Sequence, residues 1–292
     1  MSGVEQSGTF ALGDWQVRRL GFGAMHLSGP SVFGPPKDRA AALAVLREAV
    51  ASGVNHIDTS DYYGPHVTNQ LIHDALHPYP DDLVIVTKVG ARRGKDGSVL
   101  EASSPNELIS AVHDNLRNLG VDVLDVVNLR NMFGVDARAT DAIEAGLTTL
   151  AELKRQGLVR HIGLSSVTPQ QLAVGRRICR IVCVQNKYNL AYRLDDTLVD
   201  VLAQDGIAYV PFFPLGGGFT QIQSSTVSDV AQRLAATPAQ IAIAWLLRRA
   251  PNILLIAGTS SVAHLRENVT AVTLRLSDEA FATLNELTQG RA

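Results

Sequence analysis

Cysteine is scarce. The 292 residues hold only Cys179 and Cys183, separated by Arg180-Ile181-Val182, and no third or fourth thiol completes a zinc site. The two therefore read as reduced core residues. Charge of one sign is also missing: a formal net charge of -2 and the absence of a Lys/Arg-rich block argue against a nucleic-acid or membrane surface as the main partner. No apolar stretch is long enough to span a bilayer, and no basic segment followed by an apolar one opens the chain. The expectation is a soluble, cytoplasmic protein. Neither His-x-His nor His-Glu-x-x-His occurs, which excludes a metal-dependent barrel hydrolase of the common kinds, so no metal is expected. No Gly-x-Gly-x-x-Gly follows a strand, so dinucleotide binding cannot be claimed from that fingerprint. No linker or shift in composition divides the chain, and residues 1–292 read as a single domain.

What is present is alternation. β-branched runs alternate with amphipathic stretches, the pattern of βα units and a parallel sheet. Strands are predicted at Arg19–Met25, Val54–Asp58, Leu83–Lys88, Leu124–Leu129, His161–Leu164, Ile181–Gln185, Ile207–Phe213 and Ile253–Ala257. Helices are predicted at Asp38–Val50, at Pro105–Leu119 with a capping serine and a first-turn proline, and at Pro238–Leu247. Eight such units closing on themselves make a TIM (β/α)8 barrel. Two pieces lie outside them. Thr9–Val17 reads as a hairpin with Gly13-Asp14 at its turn, and Leu276–Leu287 as a terminal amphipathic helix with a serine cap, packed on the outside.

Asp58 and Lys88 each end a largely apolar run, where a barrel strand delivers side chains to the catalytic rim. Tyr63 follows closely in Asp58-Thr59-Ser60-Asp61-Tyr62-Tyr63-Gly64. A tyrosine hydroxyl, with an ordinary pKa of about 10, donates a proton poorly at neutral pH unless a nearby ammonium stabilises the phenolate. Lys88 supplies such a charge, and Asp58 can hold Lys88 in place. The same residues also read as a solvated ion pair beside a simple turn.

These residues carry a resemblance. With Arg19-Leu20-Gly21-Phe22-Gly23-Ala24-Met25, His161-Ile162-Gly163-Leu164-Ser165, Val184-Gln185-Asn186, Gly258-Thr259-Ser260-Ser261 and Glu267-Asn268 in this order, the whole chain resembles the aldo-keto reductases, and within them the bacterial pyridoxal-reductase-like branch. The resemblance implies a small carbonyl substrate and NADPH bound on the barrel rim. It places Gly23, Ala24 and Met25 among the cofactor contacts, and Ser165, Ser166 and Gln185 at the nicotinamide carboxamide. Phe212 is assigned to stack on the ring, and Pro214, Leu215 and Gly216 to lie along the cofactor. Leu215-Gly216-Gly217-Gly218-Phe219 either closes over the pyrophosphate or is an ordinary loop. Ser260 and His264 fall at the 2′-phosphate, with Arg266 close by, and Glu267 and Asn268 at the adenine. On the residues alone, Thr259 or Ser260 reads equally well as a helix cap. The implied hairpin covers the bottom of the barrel. Two positions depart from the family pattern: Ser166 stands where asparagine is usual, and Phe213 where a small polar residue is usual.

A sharper departure is Arg130, aligned with a catalytic histidine in most members. A neutral imidazole donates one hydrogen bond, whereas a guanidinium is always charged and offers a planar fork of donors. Arg130 therefore either stabilises the developing alkoxide, or anchors an anionic or phenolic substrate group, or pairs with a rim carboxylate as a structural residue. The implied mechanism is hydride transfer from NADPH to an aldehyde carbon while Tyr63 protonates the oxygen. Asp58, Tyr63, Lys88 and Arg130 are thus the expected catalytic set. The branch suggests pyridoxal; a broad-range aldehyde reductase and a nicotinamide-binding regulatory subunit are the alternatives. His26, Phe33, His66 and Asn131 are candidates for the substrate pocket.

Overall fold

A computed structural model describes residues 3–132, 137–216 and 224–287. It begins with a hairpin, β1 (Thr9–Leu12) and β2 (Trp15–Arg18), paired antiparallel. The alternating part follows as β3 (Leu20–Gly23), α1 (Arg39–Ala51), β4 (His56–Asp58), α2 (Val67–Leu76) and β5 (Val84–Arg93). It continues with β6 (Val99–Ala102), α3 (Pro105–Leu119), β7 (Leu124–Arg130), α4 (Ala137–Arg155) and β8 (Val159–Ser165). Then come α5 (Pro169–Ile178), β9 (Ile181–Gln185), α6 (Asp196–Gln204), β10 (Ala208–Tyr209), α7 (Ser225–Arg233) and α8 (Pro238–Arg249). The chain closes with β11 (Leu255–Ile256), α9 (Val262–Thr270) and α10 (Asp278–Asn285).

The sheet runs β10-β9-β8-β7-β5-β4-β3-β11, all parallel. Its ends meet: the Tyr209 N–H donates to Asn252 O (2.9 Å), and the Leu254 N–H donates to Tyr209 O (2.9 Å). The expected eight-stranded barrel is closed. Among the described residues no helix is long and apolar enough to cross a membrane.

Two layers of apolar side chains hold the barrel. Inside, Val84, Val86, Val126, Val182, Ala208, Val210, Leu254 and Ile256 pack together with Leu12 and Val17 of the hairpin. Between sheet and helices a larger set includes Phe22, Ile57, Leu108, Leu147 and Trp245. The hairpin is fixed under the strand starts. Arg18 N–H donates to Asn55 Oδ1 (2.7 Å), Asp14 lies 3.0 Å from His161, and Trp15 meets the His161 ring edge-on. Gly13, at φ +67°, has no room for a Cβ, which would lie 2.4 Å from that imidazole. The lower mouth is thus closed and only the C-terminal rim is open for chemistry.

Helix ends follow their sequence signals. Asp38 caps α1 by accepting from Ala41 N–H (2.9 Å), and Glu107 accepts from the Ser104 N–H (3.2 Å) and hydroxyl (2.6 Å) at the start of α3. Ser277 caps α10, which docks outside through Phe281 against Trp245 and Asn285 accepting from the Trp245 indole N–H (2.9 Å). The free cysteines differ, Cys183 being buried and Cys179 half-buried.

Boundaries shift by a few residues at most elements, for example Ile253–Ala257 to Leu255–Ile256, and two of the shifts bear on the site. Ile207–Phe213 keeps regular strand only at Ala208–Tyr209; single backbone bonds from Val210 and Phe212 prolong the pairing around Pro211, which has no N–H to give, and Phe213 then turns away at φ +55°. The run Leu83–Lys88 is the barrel part of a longer β5, which leaves the barrel at Gly90 and pairs antiparallel with β6 from Gly90↔Ala102 to Arg93↔Val99. Gly90 sits at φ +106°, and a Cβ there would fall 2.6 Å from Arg130 O, so the departure requires glycine. Gly94-Lys95-Asp96-Gly97 forms the tip of this arm and is a hairpin signal in the sequence.

Candidate active site

Adjacent strand ends build the rim. Asp58 ends β4, Arg130 ends β7, Ser165 ends β8 and Gln185 ends β9, while Lys88 lies in β5 beside them. Lys88 Nζ donates to Asp58 Oδ1 (2.6 Å) and to Thr59 O (2.8 Å). The Gln185 amide donates to Asp58 Oδ2 (2.7 Å). Lys88 and Asp58 are only 2% and 3% exposed, which disposes of the solvated ion pair. Desolvating two charges is costly, and both must be paired to be tolerated.

Tyr63, on the loop after β4, is packed so that Lys88 Nζ stands 5.1 Å from its ring centroid. Tyr62 meets it edge-on at 4.9 Å. Burial raises the Tyr63 pKa above its ordinary value, and the Asp58 charge raises it further; Arg130, then a Tyr62 hydrogen-bonding interaction and Arg93, oppose this. In this resting arrangement the phenol keeps its proton, the form an acid must start from.

Asp58, Tyr63, Lys88, Arg130 and Gln185 line a cavity of about 410 Å³, together with Gly23, Met25, His26, Phe212, Pro214 and Leu215. Tyr62, Arg93, Val32 and Val99 also line it, and none of them was singled out from sequence. Phe213 lies beside Phe212 with the rings edge-on. Arg130 has no carboxylate partner among the described residues; its Nε lies 3.3 Å from Met132 Sδ and its guanidinium 5.6 Å from the Tyr62 ring. The structural rim pairing considered for it is thus not found among the described residues.

The remaining candidates are placed apart. Ala24 is fully buried behind the rim. Ser260 is exposed and borders a neighbouring groove with Lys37, Asp38 and Ala41. The cap of α9 is Ser261, which accepts from His264 N–H, and not Thr259 or Ser260. His264 is exposed, Arg266 pairs with Glu48 at 2.7 Å, Glu267 accepts from the Thr237 hydroxyl (2.6 Å), and Asn268 is buried. Phe33 projects outward at 37% exposure. His66 opens α2 at φ +61° and faces a separate small cavity behind Tyr62. Asn131 is framework: it is buried, and its amide donates to Ser166 O (3.1 Å) and Gln171 Oε1 (3.3 Å). Ser166 itself sits at φ +61°, a conformation that asparagine tolerates better than serine. Gly216 is described, at φ +84°, while Gly217, Gly218 and Phe219 lie outside the described residues.

A nicotinamide dinucleotide meets a suitable rim here. Ser165 Oγ and Gln185 Oε1 are buried without a hydrogen-bond partner among the described residues, on residues paired across β8 and β9. A hydroxyl and an amide carbonyl left unsatisfied suit a carboxamide, which both donates and accepts. Gly23 and Gly258 line the cavity with Phe212; a Cβ on Gly23 would stand 2.7 Å from Ile256 O and one on Gly258 2.5 Å from Gly23 O, so both positions of this backbone edge require glycine. Among the described residues no group of three or more His, Cys, Asp or Glu forms a metal site.

Asp61 carries a strained charge. It is 6% exposed, and burial, with Asp114 nearby, pushes its carboxyl up to about 7, against the Tyr62 N–H and Ser60 hydroxyl that lower it. A carboxyl raised in the folded state favours folding below its unfolded pKa, and that advantage is lost as pH rises through the folded value. Asp61→Asn is therefore expected to raise the melting temperature at pH 8, with a much smaller gain at pH 5. Equal shifts at both pH values in calorimetry would show that the charge is not the cause.

The aldo/keto reductase family model matches residues 19–289. Pyridoxine 4-dehydrogenase of Escherichia coli is 67% identical over 97% of this chain and 99% of its own length. An oxidoreductase of Schizosaccharomyces pombe is 37% identical over 97% and 90%. Among solved structures, a thermostable aldo-keto reductase with the inhibitor epalrestat superposes with a TM-score of 0.81 at 28% identity, covering 96% of this chain and 99% of that one. An aldo/keto reductase of Klebsiella pneumoniae in complex with NADP and acetate reaches 0.79 at 23% identity over 96% and 94%, a likeness of fold. The chain belongs to the aldo/keto reductase family.

Proposed function

We propose that this protein reduces an aldehyde to an alcohol with NADPH, and that pyridoxal, giving pyridoxine, is its substrate. The observation that carries the chemistry is the buried Lys88–Asp58 pair set against Tyr63 in a cavity of about 410 Å³. The substrate follows from the near full-length identity to a pyridoxine 4-dehydrogenase. The acting unit is a single barrel domain over residues 1–292, and the free Cys179 and Cys183 suit a reducing, cytoplasmic setting.

When bound, NADPH would supply the hydride that the carbonyl carbon receives. Ser165 and Gln185 orient the carboxamide, with Ser166 beside them. With NADPH bound, Phe212 would offer its ring face and Gly23, Met25, Pro214, Leu215 and Gly216 would border the cofactor along the lip, with Ala24, fully buried, supporting that lip from behind. Ser260 and His264 take the 2′-phosphate, and Glu267 and Asn268 the adenine. Tyr63 protonates the carbonyl oxygen. Asp58 and Thr59 O fix Lys88 against the Tyr63 ring, so that the negative charge left on the phenolate meets an ammonium. Packing by Tyr62, Phe212 and Phe213 excludes water around this exchange, which strengthens each charge contact.

The test follows NADPH absorbance with the purified protein and a panel of pyridoxal and simple aldehydes. Pyridoxal should be reduced with the highest kcat/KM; comparable values across the panel would favour a broad-range reductase, and NADPH binding without turnover a regulatory subunit. NADPH should be preferred to NADH. Ser260 and His264 are exposed at the start of α9, whereas Arg266 is held by Glu48, so His264 supplies much of the discrimination. His264→Ala should shrink the NADPH/NADH ratio of kcat/KM by roughly threefold to tenfold, the worth of one hydrogen bond. Equal efficiency with both cofactors in the unmodified protein would refute the assignment.

A further inference from the structure

Arg93 lines the cavity, yet its guanidinium is occupied by backbone. Nε donates to Tyr62 O (3.3 Å), Nη1 to Gly97 O (2.7 Å), and Nη2 to Ser31 O (3.1 Å) and Val32 O (3.0 Å). These acceptors lie on three different loops: the one after β3, the one after β4 that carries Tyr63, and the tip of the β5–β6 arm. Its Cζ also stands 5.8 Å from the Tyr62 ring centroid. Among the described residues no other side chain donates to all three.

What the clasp holds is strained. Ser31 and Val32 have φ of +56° and +60°, and a β-branched residue in the left-handed region is costly unless its surroundings impose it. The strained segment is joined to the tyrosine loop by Gly64 N–H donating to Val32 O (3.2 Å) and Gly34 N–H donating to Gly64 O (3.1 Å). Gly64 directly follows Tyr63. The position of the phenol is therefore tied to a segment that relaxes if the guanidinium is removed.

We infer that Arg93 is a positioning residue for the reaction: it clasps the three loops of the cavity lip and so sets how closely an aldehyde is held against Tyr63. The inference rests on the function proposed above. Arg93 contributes no atom to the exchange. A planar fork suits this task because its donors point along several fixed directions at once, whereas a lysine ammonium is a point donor and cannot span the same carbonyls.

Arg93→Met and Arg93→Lys in the full chain provide the test, with two independent readouts. In steady-state kinetics Arg93→Met should raise KM for pyridoxal by roughly tenfold or more and lower kcat less, since a displaced lip loosens the substrate before it alters the chemistry. NADPH affinity, read by quenching of protein fluorescence, should stay within about twofold. Arg93→Lys should recover part of the loss. In hydrogen exchange, peptides covering residues 29–34 and 62–64 should exchange faster in Arg93→Met, while the barrel strands keep their protection. Unchanged exchange at the lip, or a fall in kcat and NADPH binding together with an unchanged KM, would overturn the inference. Should the unmodified protein reduce no aldehyde, the proposed function fails, and the exchange result alone decides whether Arg93 clasps the lip.

Discussion

Tyr63→Phe is expected to abolish aldehyde reduction, with kcat falling by roughly 10²–10⁴-fold, the usual worth of a positioned proton donor. The fold should survive, since the ring is the part that packs: it sits under Lys88 Nζ and edge-on to Tyr62. NADPH affinity should change little, because the groups that suit the carboxamide, Ser165 and Gln185, stand on β8 and β9. Single-turnover measurement of NADPH oxidation, beside a binding titration, separates the two. Wild-type turnover in the variant would remove Tyr63 from the mechanism. Lys88 and Asp58 do not offer so clean an experiment. Each is buried and paired with the other, Lys88 donating also to Thr59 O and Asp58 accepting also from Gln185, so deleting one leaves an uncompensated charge and costs on the order of 3–5 kcal/mol of stability.

The contrast explains what was legible in the sequence. Asp58 and Lys88 could be placed because each closes an apolar run, and a parallel barrel puts such positions on one rim. Their contact with each other, and with Gln185 from a strand farther round the barrel, depends on closure and on register. No local pattern encodes a 2.7 Å contact between residues 58 and 185. The arm was readable in principle from Asp96-Gly97 at its tip, but the apolar run ending at Lys88 suggested a strand that stopped there. With the arm went Arg93, whose role exists only because three loops converge on it. His66 and Asn131 were chosen as polar residues on rim loops. One faces a different cavity and the other spends its amide on Ser166 and Gln171, because buried amides must find partners wherever the fold supplies them. The cap of α9 moved by one residue, to Ser261, a shift that sequence cannot resolve in a row of three hydroxyls.

Arg130→Met should lower turnover for every aldehyde, by on the order of 10²-fold, as loss of an oxyanion donor does. A guanidinium with no carboxylate partner among the described residues, resting on the Tyr62 ring and facing the cavity, is free to meet negative charge that appears during the reaction. Its field already acts on the acid: Arg130 is the first of the influences that pull the Tyr63 pKa down against burial and Asp58. Methionine keeps much of the length and the apolar contact with Tyr62 but removes that field, so the pH at which the phenol loses its proton should rise along with the fall in kcat. If Arg130 instead anchors an acidic group on the substrate, the loss will appear as a raised KM for pyridoxal alone, and uncharged aldehydes will be reduced as before. The two outcomes differ because charge on the carbonyl oxygen develops in every aldehyde, whereas an acidic ring oxygen belongs to only some. Unchanged kinetics on both kinds of substrate, with a lowered melting temperature, would return Arg130 to a structural role. The cavity favours the first outcome, since the same guanidinium that bears on Tyr63 bears on the oxygen to which Tyr63 gives its proton.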